Sequence, residues 1–385
     1  MRKITLSILI ITTTFFIGCQ KDLSNQEVVE PNLQTDESQY FEPSEAYLKS
    51  LEDMKNQPEL GVRSGCDWIS IPAGSTDALQ RAIDGARSGS IIYLSRGEHT
   101  ETKMITIKKT INIIGASGAV LKVKSALPQL DEVNNIFPVK PALYFFNASH
   151  SSVQGLDIQP IQGDGSTAIV LENSNETVVI GCKISKFAYG VIVEKSDKTA
   201  IMRNTIVASG AWQTGALAES EGIIIVNGKS AYISDNEVSN ALFGIWPCDE
   251  FGLCQRNYTH HSFLGIILCN VPAGSYYLPS GKAVGAKIPT RYCKVRNNNS
   301  TDNQFGYLVI DGANNNLIVN NNAARNALYD MELTADTYRF GFLTPKSYNN
   351  TVIAGSYPNI RIKDCGENNH VTGGIKINTT TDPCN

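Results

Sequence analysis

The chain of 385 residues carries little charge and has no surplus of positive charge. Charged residues make up 18% of it, and 33 Lys and Arg against 37 Asp and Glu leave a formal net charge of -4. Because the chain has no excess of Lys and Arg to bind phosphates, we expect no nucleic-acid partner. A hydrophobic fraction of 42% combined with so small a net charge also excludes a chain that is disordered throughout.

Several motifs that identify common catalytic and metal sites are absent as well. The sequence contains no CxxC pair, so a zinc site is not expected. It contains no P-loop, no GxSxG and no HExxH, which removes the most recognisable nucleotide-binding, serine-hydrolase and metalloprotease patterns.

Asn and Gly, by contrast, are plentiful, with 33 Asn and 31 Gly. Both are poor helix formers, so their excess indicates many repeated turns rather than many helices. The chain is long enough to bury a sizeable core, and its length fits one long repetitive β structure as well as two or three domains.

The first 18 residues are predicted to be a secretory signal peptide. Arg2 and Lys3 precede an apolar run over residues 4–17, which is too short to span a bilayer comfortably. The run ends in Phe16-Ile17-Gly18-Cys19, which resembles the lipobox of bacterial lipoproteins and implies that Cys19 is acylated after cleavage.

The residues that follow are predicted to form a tether. Gln20-Lys21-Asp22 is similar to a short signal that sends some Gram-negative lipoproteins to the cell surface. The resemblance implies an outer membrane lipoprotein that faces the cell surface or the periplasm. Residues 19–64 are expected to be a flexible polar tether with one short helix over residues 43–55.

The rest of the chain repeats a unit of two parts. The first part is a small residue followed by apolar residues, and it begins at Ala168, Gly190, Gly222, Gly244, Gly265 and Gly306, with Asp330 in the same slot. The second part is apolar-x-x-Asn, and it ends at Asn204, Asn236, Asn257, Asn298 and Asn322, with Cys182 in the same slot. The constant spacing between the two parts indicates a shortest coil of about 22 residues.

This pattern resembles the right-handed parallel β-helix of the pectate-lyase-like superfamily. The resemblance covers residues 75–374 and implies an all-β solenoid in which each coil adds one rung to each of three parallel sheets. Asn suits the bend because it tolerates left-handed backbone angles, and its amide can bond the same amide in the next coil. We therefore predict a β-helix domain over residues 65–385.

The start of this domain also fits the resemblance. Residues 75–83 are predicted to form a helix, capped by Ser75, that covers the open end of the apolar core. Strands are expected over residues 91–94, 104–107, 111–114 and 120–123.

Insertions into the coil indicate where a binding site lies, because loops on a rigid scaffold carry function. Three insertions, within residues 204–222, 265–295 and 330–352, flank the sheet that the small-residue segments form. The residues predicted to point outward from that sheet are mostly apolar: Val170, Ile192, Ile224, Trp246, Ile267, Leu308 and Glu332. This face is expected to be covered by loops or by a partner, or to serve as a stacking platform for sugar rings.

Polar and aromatic candidates cluster around coils 244–268. Hydrolysis of a glycoside needs paired carboxylates and elimination needs a base. The catalytic candidates are accordingly Asp249, Glu250, His260 and Glu332. Rings stack on sugar faces and cations bind hydroxyls or uronates, so the substrate-binding candidates are Trp212, Trp246, His261, Tyr276, Tyr277, Lys282 and Arg291.

Two functions remain open at this point. The superfamily includes lyases, hydrolases, epimerases and non-enzymatic binders. The motifs of its hydrolases and alginate epimerases are missing, which favours a lipid-anchored protein that binds polysaccharide without catalysis. The alternative is a carbohydrate-active enzyme, either a polysaccharide lyase or a glycoside hydrolase, with its site around coils 244–268. No cofactor is expected, although a lyase would admit calcium, and the expected partners of the monomer are a glycan and, through Cys19, the membrane.

The cysteines are compatible with disulfides. Besides Cys19 there are eight, and an even number in an exported protein permits pairing. Cys248 with Cys254, and Cys269 with Cys293, would join two loops beside the predicted site. Cys254, which occupies a core slot of the repeat, is alternatively a buried thiol, as is Cys182.

Overall fold

The structure is a computed structural model that describes residues 37–56, 67–127, 129, 137–214, 220–271, 276–286, 288–339, 342–377 and 384. The predicted signal peptide over residues 1–18, the lipidation site Cys19 and the Gln20-Lys21-Asp22 signal lie outside the described residues and stay predictions. Among the helices of the described part, none is long and apolar enough to cross a membrane.

Strands make up most of the regular structure, accompanied by helices α1 (Glu45–Asn56) and α2 (Ala78–Gly85) and by 3₁₀ helices at Glu37–Gln39 and Ala211–Thr214. The first strands are β1 Trp68–Ile71, β2 Ser90–Leu94, β3 Gly97–Glu101, β4 Ile105–Ile107, β5 Ile111–Gly115, β6 Ala119–Val123, β7 Phe137–Pro138, β8 Pro141–Phe146, β9 Ser152–Gln154, β10 Asp157–Pro160, β11 Gly165–Glu172 and β12 Val178–Ile180. The middle strands are β13 Lys183–Glu194, β14 Ala200–Met202, β15 Thr205–Ala208, β16 Glu221–Lys229, β17 Tyr232–Ser234, β18 Glu237–Ser239, β19 Phe243–Glu250, β20 Leu253–Gln255, β21 Tyr258–His260, β22 Leu264–Leu268, β23 Tyr276–Tyr277 and β24 Ala283–Val284. The last strands are β25 Lys294–Arg296, β26 Asn299–Thr301, β27 Phe305–Val309, β28 Leu317–Val319, β29 Asn322–Ala324, β30 Tyr329–Leu333, β31 Thr337–Arg339, β32 Phe342–Thr344, β33 Thr351–Ile353, β34 Arg361–Asp364, β35 His370–Thr372 and β36 Ile375–Lys376.

Parallel pairing arranges most of these strands in three faces of a right-handed parallel β-helix, as the repeat predicts. Sheet 1 contains β1, β2, β5, β9, β12, β14, β17, β20, β25, β28, β33 and β35. Sheet 2 contains β3, β6, β10, the first part of β13, β15, β18, β21, β26 and β29. Sheet 3 contains β4, β8, β11, the last part of β13, β16, β19, β22, β27, β30, β34 and β36.

The registers of sheet 1 show how many residues one coil uses. Val178 pairs with Ala200, an offset of 22 residues, and Tyr232 pairs with Leu253, an offset of 21. Leu253 pairs with Lys294, an offset of 41, because the chain between these strands contains an insertion. Insertions therefore leave the rungs in register and add residues outside the coil.

The small residue that opens each strand of sheet 3 is explained by the narrow corner between sheets 2 and 3. A Cβ added to Gly244 would lie 2.5 Å from the carbonyl oxygen of Gly265, and one added to Gly222 would lie 2.5 Å from that of Gly244. A side chain at these glycines would push adjacent coils apart, so glycine recurs in this slot, which Ala168 and Asp330 occupy in the first and last of the coils named above. The apolar residues that follow alternate inward and pack in one continuous core along the solenoid.

The recurring Asn forms a buried ladder at the bend between sheets 1 and 2. Asn257 donates from Nδ2 to the carbonyl oxygen of Ile233 at 2.9 Å and to Oδ1 of Asn298 at 3.0 Å. Its own Oδ1 accepts from the backbone N and from Nδ2 of Asn236, at 3.0 and 2.9 Å. Each amide thus satisfies buried groups of two neighbouring coils, which explains why Asn recurs rather than another polar residue.

Two details of the predicted repeat are corrected by this ladder. Asn298 donates to Asn321, so Asn321 occupies the slot that the sequence assigns to Asn322; the step from Asn298 is 23 residues, one fewer than that assignment implies. Cys182 does occupy an Asn slot as predicted, and its backbone N donates to Oδ1 of Asn204 at 2.9 Å.

The predicted capping helix is present, but its cap differs from the expectation. Leu79 and Ile83 of α2 are buried against the core. The N-cap residue is Asp77 rather than Ser75, and it makes no side-chain cap hydrogen bond. Glu101 of β3 supplies that contact instead, accepting from the backbone N of Leu79 at 2.7 Å. A residue from the next rung therefore attaches the helix to the solenoid.

The cysteines pair differently from the predicted connectivity. Cys365 and Cys384 form a disulfide. Cys248 and Cys269 face each other on neighbouring coils with their sulfurs 3.8 Å apart, so the predicted pairs Cys248–Cys254 and Cys269–Cys293 are wrong. Cys254 is a buried thiol, which confirms the alternative for that residue.

We expect Asn257→Ala to destabilise the protein by ~3 kcal/mol, because it leaves several buried donors and acceptors unsatisfied. Thermal or urea unfolding of the purified protein measures the loss. Asn359→Ala, at an exposed turn position, is the control and should change the unfolding midpoint little. Equal effects of the two substitutions would show that the ladder does not stabilise the fold.

Candidate functional site

The residues predicted to point outward from sheet 3 form a row across it. The registers align Val170 with Ile192, Ile224 and Trp246 in one part of the row, and Ile267 with Leu308 and Glu332 in the other. All seven are buried, with exposed fractions between 0% and 5%. The apolar members belong to a second hydrophobic cluster outside the solenoid. The row is therefore covered rather than open to solvent.

Residues 276–286, which we call the covering segment, cover this row. Tyr276, Leu278 and Val284 are buried in the same cluster as Trp246. β23 is held at both sides, by antiparallel pairing with β24 and by parallel pairing with β7. Of the interpretations left open by the sequence, covering by the chain's own loop is therefore the one observed. Trp246 and Tyr276 present no open ring face for a sugar, because the covering segment excludes solvent from them.

Two carboxylates lie side by side beneath the covering segment. Glu172 ends β11, Glu194 ends β13, and the register pairs the two residues directly. Both point outward, two positions beyond the apolar row, and both are buried, with exposed fractions of 2% and 0%. Directly paired residues on neighbouring strands lie about 5 Å apart. Glu172 and Glu194 are therefore a directly paired couple of acidic residues on the outer face of sheet 3.

Hydroxyl groups hold Glu172. The phenol of Tyr144 donates to Oε2 of Glu172 at 2.6 Å, and the hydroxyl of Ser280 donates to Oε1 at 2.9 Å. Burial, and then the hydrogen bond to Glu172, raises the pKa of Tyr144 well above its usual range, so the phenol keeps its proton. Ser280 belongs to the covering segment, so Glu172 connects the solenoid to its cover.

A cation and an amide hold Glu194. The ammonium of Lys282, also in the covering segment, forms an ion pair with Oε1 of Glu194. Nδ2 of Asn227 contacts both carboxylate oxygens at 3.2 and 3.3 Å. Burial raises the pKa of Glu194 even though Lys282 lowers it. Lys282 is 32% exposed at its side chain, so this corner of the pair lies closest to solvent.

A third glutamate completes the attachment of the covering segment. Glu221 is fully buried, and its Oε1 accepts from the phenol of Tyr276 at 2.7 Å. Three residues of the covering segment therefore bind three glutamates of sheet 3. Of these three residues, only Lys282 is positively charged.

The four predicted catalytic side chains are not brought together. Asp249 is buried at the end of β19, where Oδ2 accepts from the backbone N of Ala231 at 3.0 Å. Glu250 forms ion pairs with Arg291 at 2.8 Å and with Lys229 at 3.3 Å. They do not converge with His260 and Glu332, since adjacent strand residues point in opposite directions and the other two lie on other strands; the catalytic roles of the four stay predictions.

His260 lies on sheet 2, a different face from Trp246. Its Nε2 is 3.2 Å from Oε1 of Glu237, its Nδ1 is 2.7 Å from Nδ1 of His261, and its ring stacks on Tyr258. The indole N–H of Trp212 donates to the carbonyl oxygen of Asn240 at 3.0 Å. Of the predicted residues, Trp212, His260 and His261 are partly or fully exposed, as is the neighbouring Tyr258, which is not one of them.

The remaining predicted residues lie apart from these groups. Glu332 is three rungs from Trp246 along sheet 3, about 14 Å away, and its Oε1 lies 3.8 Å from Nζ of Lys363. Tyr277 is half-buried in β23, where its carbonyl oxygen accepts from the backbone N of Val139 at 2.8 Å. The binding roles predicted for Lys282 and Arg291 stay predictions; both cations are engaged with glutamates, Glu194 and Glu250.

A calcium ion does not fit the Glu172–Glu194 pair. Both oxygens of Glu172 already accept hydroxyl hydrogens, and an ammonium lies against Glu194 where a second cation would have to bind. Elsewhere in the described part of the chain, no group of three or more His, Cys, Asp and Glu side chains is arranged to hold a metal ion.

The repeat contains a signal for the pair that the sequence interpretation does not use. Glu172 and Glu194 each stand four residues after the small residue of their coil, at Ala168 and Gly190. Identical slots in consecutive coils become neighbours in a solenoid, so the shared position predicts their contact. What the sequence does not show is that Ser280 and Lys282 reach them from more than 80 residues away.

Comparison with protein families identifies the solenoid. A family model described as rhamnogalacturonase A/epimerase, pectate lyase-like matches residues 73–268, just over half of the chain. The chain belongs to this family. The matched residues include the Glu172–Glu194 pair, His260 and His261, whereas β1 lies before them. No curated protein sequence matches the chain.

Solved structures similar to this chain include three carbohydrate-active proteins. A mutant of the periplasmic alginate epimerase AlgG is 13% identical with a TM-score of 0.42, over 97% of this chain and 100% of that one. The A-module of a mannuronan C-5 epimerase from Azotobacter vinelandii is 14% identical with a TM-score of 0.38, over 80% and 96%. The catalytic domain of a GH87 alpha-1,3-glucanase is 10% identical with a TM-score of 0.43, over 83% and 67%.

The buried Asp249 predicts a pH dependence of stability. Burial raises its pKa to about 7 in the folded protein, against about 3.9 in an unfolded chain. The stability contributed by protonated Asp249 is therefore present below about pH 4 and lost as the pH rises to about 7. We expect the melting temperature of the wild type, relative to Asp249→Asn, to fall over this interval and to level off above it.

Thermal melts of both proteins between pH 4 and pH 8 measure this difference. Asp53→Asn, at an exposed position of α1, is the control and should follow the wild type at every pH. A difference between wild type and Asp249→Asn that does not vary with pH would contradict the assignment.

Proposed function

We propose that the protein is a carbohydrate-active enzyme that hydrolyses a polysaccharide, with Glu172 and Glu194 as the reacting carboxylates. The observation that carries the proposal is the direct register pairing of these two buried side chains on the outer face of sheet 3. Membership of the rhamnogalacturonase A/epimerase family supports the choice of substrate class.

The spacing of the pair favours one stereochemical course. The backbones of paired residues on neighbouring strands lie about 5 Å apart, and carboxyl groups at that separation would suit a double displacement with retention, whereas inverting enzymes need a wider gap to admit water. One carboxylate attacks the anomeric carbon and forms a glycosyl ester, while the other protonates the leaving oxygen. The second group then removes a proton from water, which hydrolyses the ester and restores both side chains.

The surroundings suggest which carboxylate takes each role. Burial raises the pKa of Glu194, and withdrawal of the Lys282 ammonium would raise it further, which suits the general acid. Glu172 accepts a hydrogen bond from Tyr144 of β8, which lies outside the covering segment and orients this carboxylate as the nucleophile.

Substrate must displace the covering segment to reach the pair, because both carboxylates are buried under it. Three contacts would break on displacement, those of Ser280, Lys282 and Tyr276 with the three glutamates. Sugar hydroxyls can take the place of Ser280 and Tyr276 as donors to the carboxylates, so part of the lost hydrogen bonding is replaced by the substrate.

A second candidate function is glycan binding without catalysis. The specific observation in its favour is that the carboxylates are covered, whereas rings and polar groups are accessible on sheet 2. There Tyr258 stacks on His260 with centroids 4.5 Å apart, and Trp212 meets Phe263 edge to face at 6.1 Å. Such a surface offers ring edges and hydrogen-bonding groups to a sugar.

We expect Glu172→Gln and Glu194→Gln each to lower the turnover of a responsive polysaccharide by about 100-fold or more, since each removes one partner of the acid–base chemistry. Polysaccharides are screened with the wild type by following reducing ends and the ultraviolet absorbance of unsaturated products. Glu101→Gln, another buried glutamate that keeps its acceptor oxygen, is the matched control.

The outcomes separate the candidates. New reducing ends without unsaturated product, with retained anomeric configuration, support hydrolysis at the pair. Unsaturated product would indicate a lyase and overturn the hydrolytic mechanism. Binding of a glycan without turnover, weakened by Tyr258→Ala but not by Glu172→Gln, would favour the binding function instead.

We also propose that the protein is anchored in the outer membrane through a lipid on Cys19. The proposal rests on the lipobox-like Phe16-Ile17-Gly18-Cys19 behind an apolar run. In a bacterial host that processes lipoproteins, palmitate labelling is expected for the wild type and lost in Cys19→Ala. Protease treatment of intact cells tests the cell-surface location, and unchanged labelling of Cys19→Ala would contradict the anchor.

A further inference from the structure

An open pocket of about 950 Å³ lies at the corner between sheets 2 and 3 in the first coils. Its walls come from the turns that precede β4 and β8, from the chain after β6 and β10, and from Pro279 of the covering segment. All of these residues belong to the described part of the chain. The volume is that of a site for a small organic ligand rather than for a single ion.

Three lysines line this pocket: Lys103, Lys124 and Lys140. All three are exposed, and none forms an ion pair with a carboxylate of the described residues. Their neighbour Lys122, on the outer face of sheet 2, is by contrast paired with Glu98 at 2.6 Å. Three ammonium groups around one concave surface produce a local positive potential on a protein whose formal net charge is -4, although Asp77 lies near enough to Lys103 for its pKa, lowered first by hydrogen bonds from Thr102, to be lowered in part by that charge.

The rest of the wall is largely apolar. Met104 is 37% exposed and belongs to the lining, together with Val139, Ile161 and Pro279. An ammonium binds an anionic group through charge-assisted hydrogen bonds, and apolar side chains contact the C–H face of a sugar ring. The lining thus combines the two kinds of contact that an acidic sugar offers.

We propose that this pocket binds the anionic groups of an acidic saccharide, with Lys103, Lys124 and Lys140 contacting carboxylate or sulfate oxygens. The saccharide class rests on the proposed function, whereas the anionic chemistry rests on the lysines alone. The pocket is concave and local, which suits one or two charged sugar units better than an extended polyanion.

The position of the pocket connects it to the covering segment. Pro279 lines the pocket, and the next residue, Ser280, donates to Glu172. β8 runs from the pocket side at Pro141 to Phe146, whose register partner is Glu172. Five residue steps of a strand span about 17 Å, the length of a few sugar units. A saccharide chain bound at the pocket would therefore contact Pro279 at one end. Its other end would lie near the Glu172–Glu194 pair, beneath the covering segment.

Calorimetric binding to the full folded chain tests the proposal. The probes are a uronic-acid hexasaccharide, its carboxyl-reduced neutral counterpart, a sulfated hexasaccharide and inorganic phosphate. We expect an acidic hexasaccharide to bind, more weakly as ionic strength rises, and the neutral one to bind at least tenfold more weakly. Each of Lys103→Gln, Lys124→Gln and Lys140→Gln should weaken binding by about two- to fivefold, and the triple variant should abolish it.

Lys376→Gln, at an exposed lysine of β36 at the opposite end of the solenoid, is the matched control for charge and should bind as the wild type does. The melting temperature of each variant verifies folding. Preference for the uronic-acid or for the sulfated probe identifies the anion, and binding of phosphate alone would reduce the site to a simple anion site. Equal binding by the triple variant, equal affinity for the neutral probe, or no binding of either acidic probe would overturn the proposal.

These outcomes are independent of the proposed hydrolysis. Loss of acidic-saccharide binding in the lysine variants, together with full retention in Glu172→Gln, supports the pocket even if no polysaccharide is cleaved. Conversely, turnover that depends on Glu172, together with acidic-saccharide binding that is unchanged in the triple lysine variant, would leave the hydrolysis standing and reject the pocket.

Discussion

The stacking of each coil on the next in register is the constraint on which the rest of this molecule depends. Two kinds of residue maintain it. The buried Asn ladder joins neighbouring bends through side-chain amides, while glycine at the opposite corner lets adjacent backbones approach closely. Because the register holds across insertions, identical slots in consecutive coils become neighbours. The contact between Glu172 and Glu194 is therefore a direct consequence of the same stacking that forms the core.

A solenoid that satisfies its backbone groups between coils leaves its outer faces available for chemistry. Here the outer face of sheet 3 is apolar along one row, and the next row carries Glu172 and Glu194 between Phe146 and Val226; both glutamates are buried. The covering segment buries Tyr276 and Val284 among the apolar residues and binds the glutamates through Ser280 and Lys282. Burying carboxylates with only one ammonium to neutralise them costs free energy. The attachment of the covering segment to the glutamates is therefore less stable than apolar packing at the same place would be. An acidic site covered in this way fits a face that opens for a ligand.

Features that follow from the repeat of residues about one coil apart in the sequence could be predicted, whereas features that depend on distant residues or on individual atomic contacts could not. The repeat predicted the strands, the outward row and the Asn ladder, because these depend on residues about one coil apart. The shift from Asn322 to Asn321 arose in a run of consecutive apolar and Asn residues, where the pattern fits two adjacent positions and only the register of Val295 with Ile318 selects one. The cap of α2 by Glu101 and the facing of Cys248 with Cys269 depend on which atoms meet across coils, and spacing alone does not determine that.

The sequence by itself determined the fold class, because the period, the small residues and the Asn slots all require parallel coils in register. It also placed Glu172 and Glu194 in equivalent slots, from which their contact follows. Only the tertiary structure decided that the insertion after β22 lies across sheet 3, that His260 belongs to another face, and that three lysines surround one pocket. The reason is physical: a periodic coil constrains residues at a constant separation, whereas the path of an insertion depends on packing against distant surfaces.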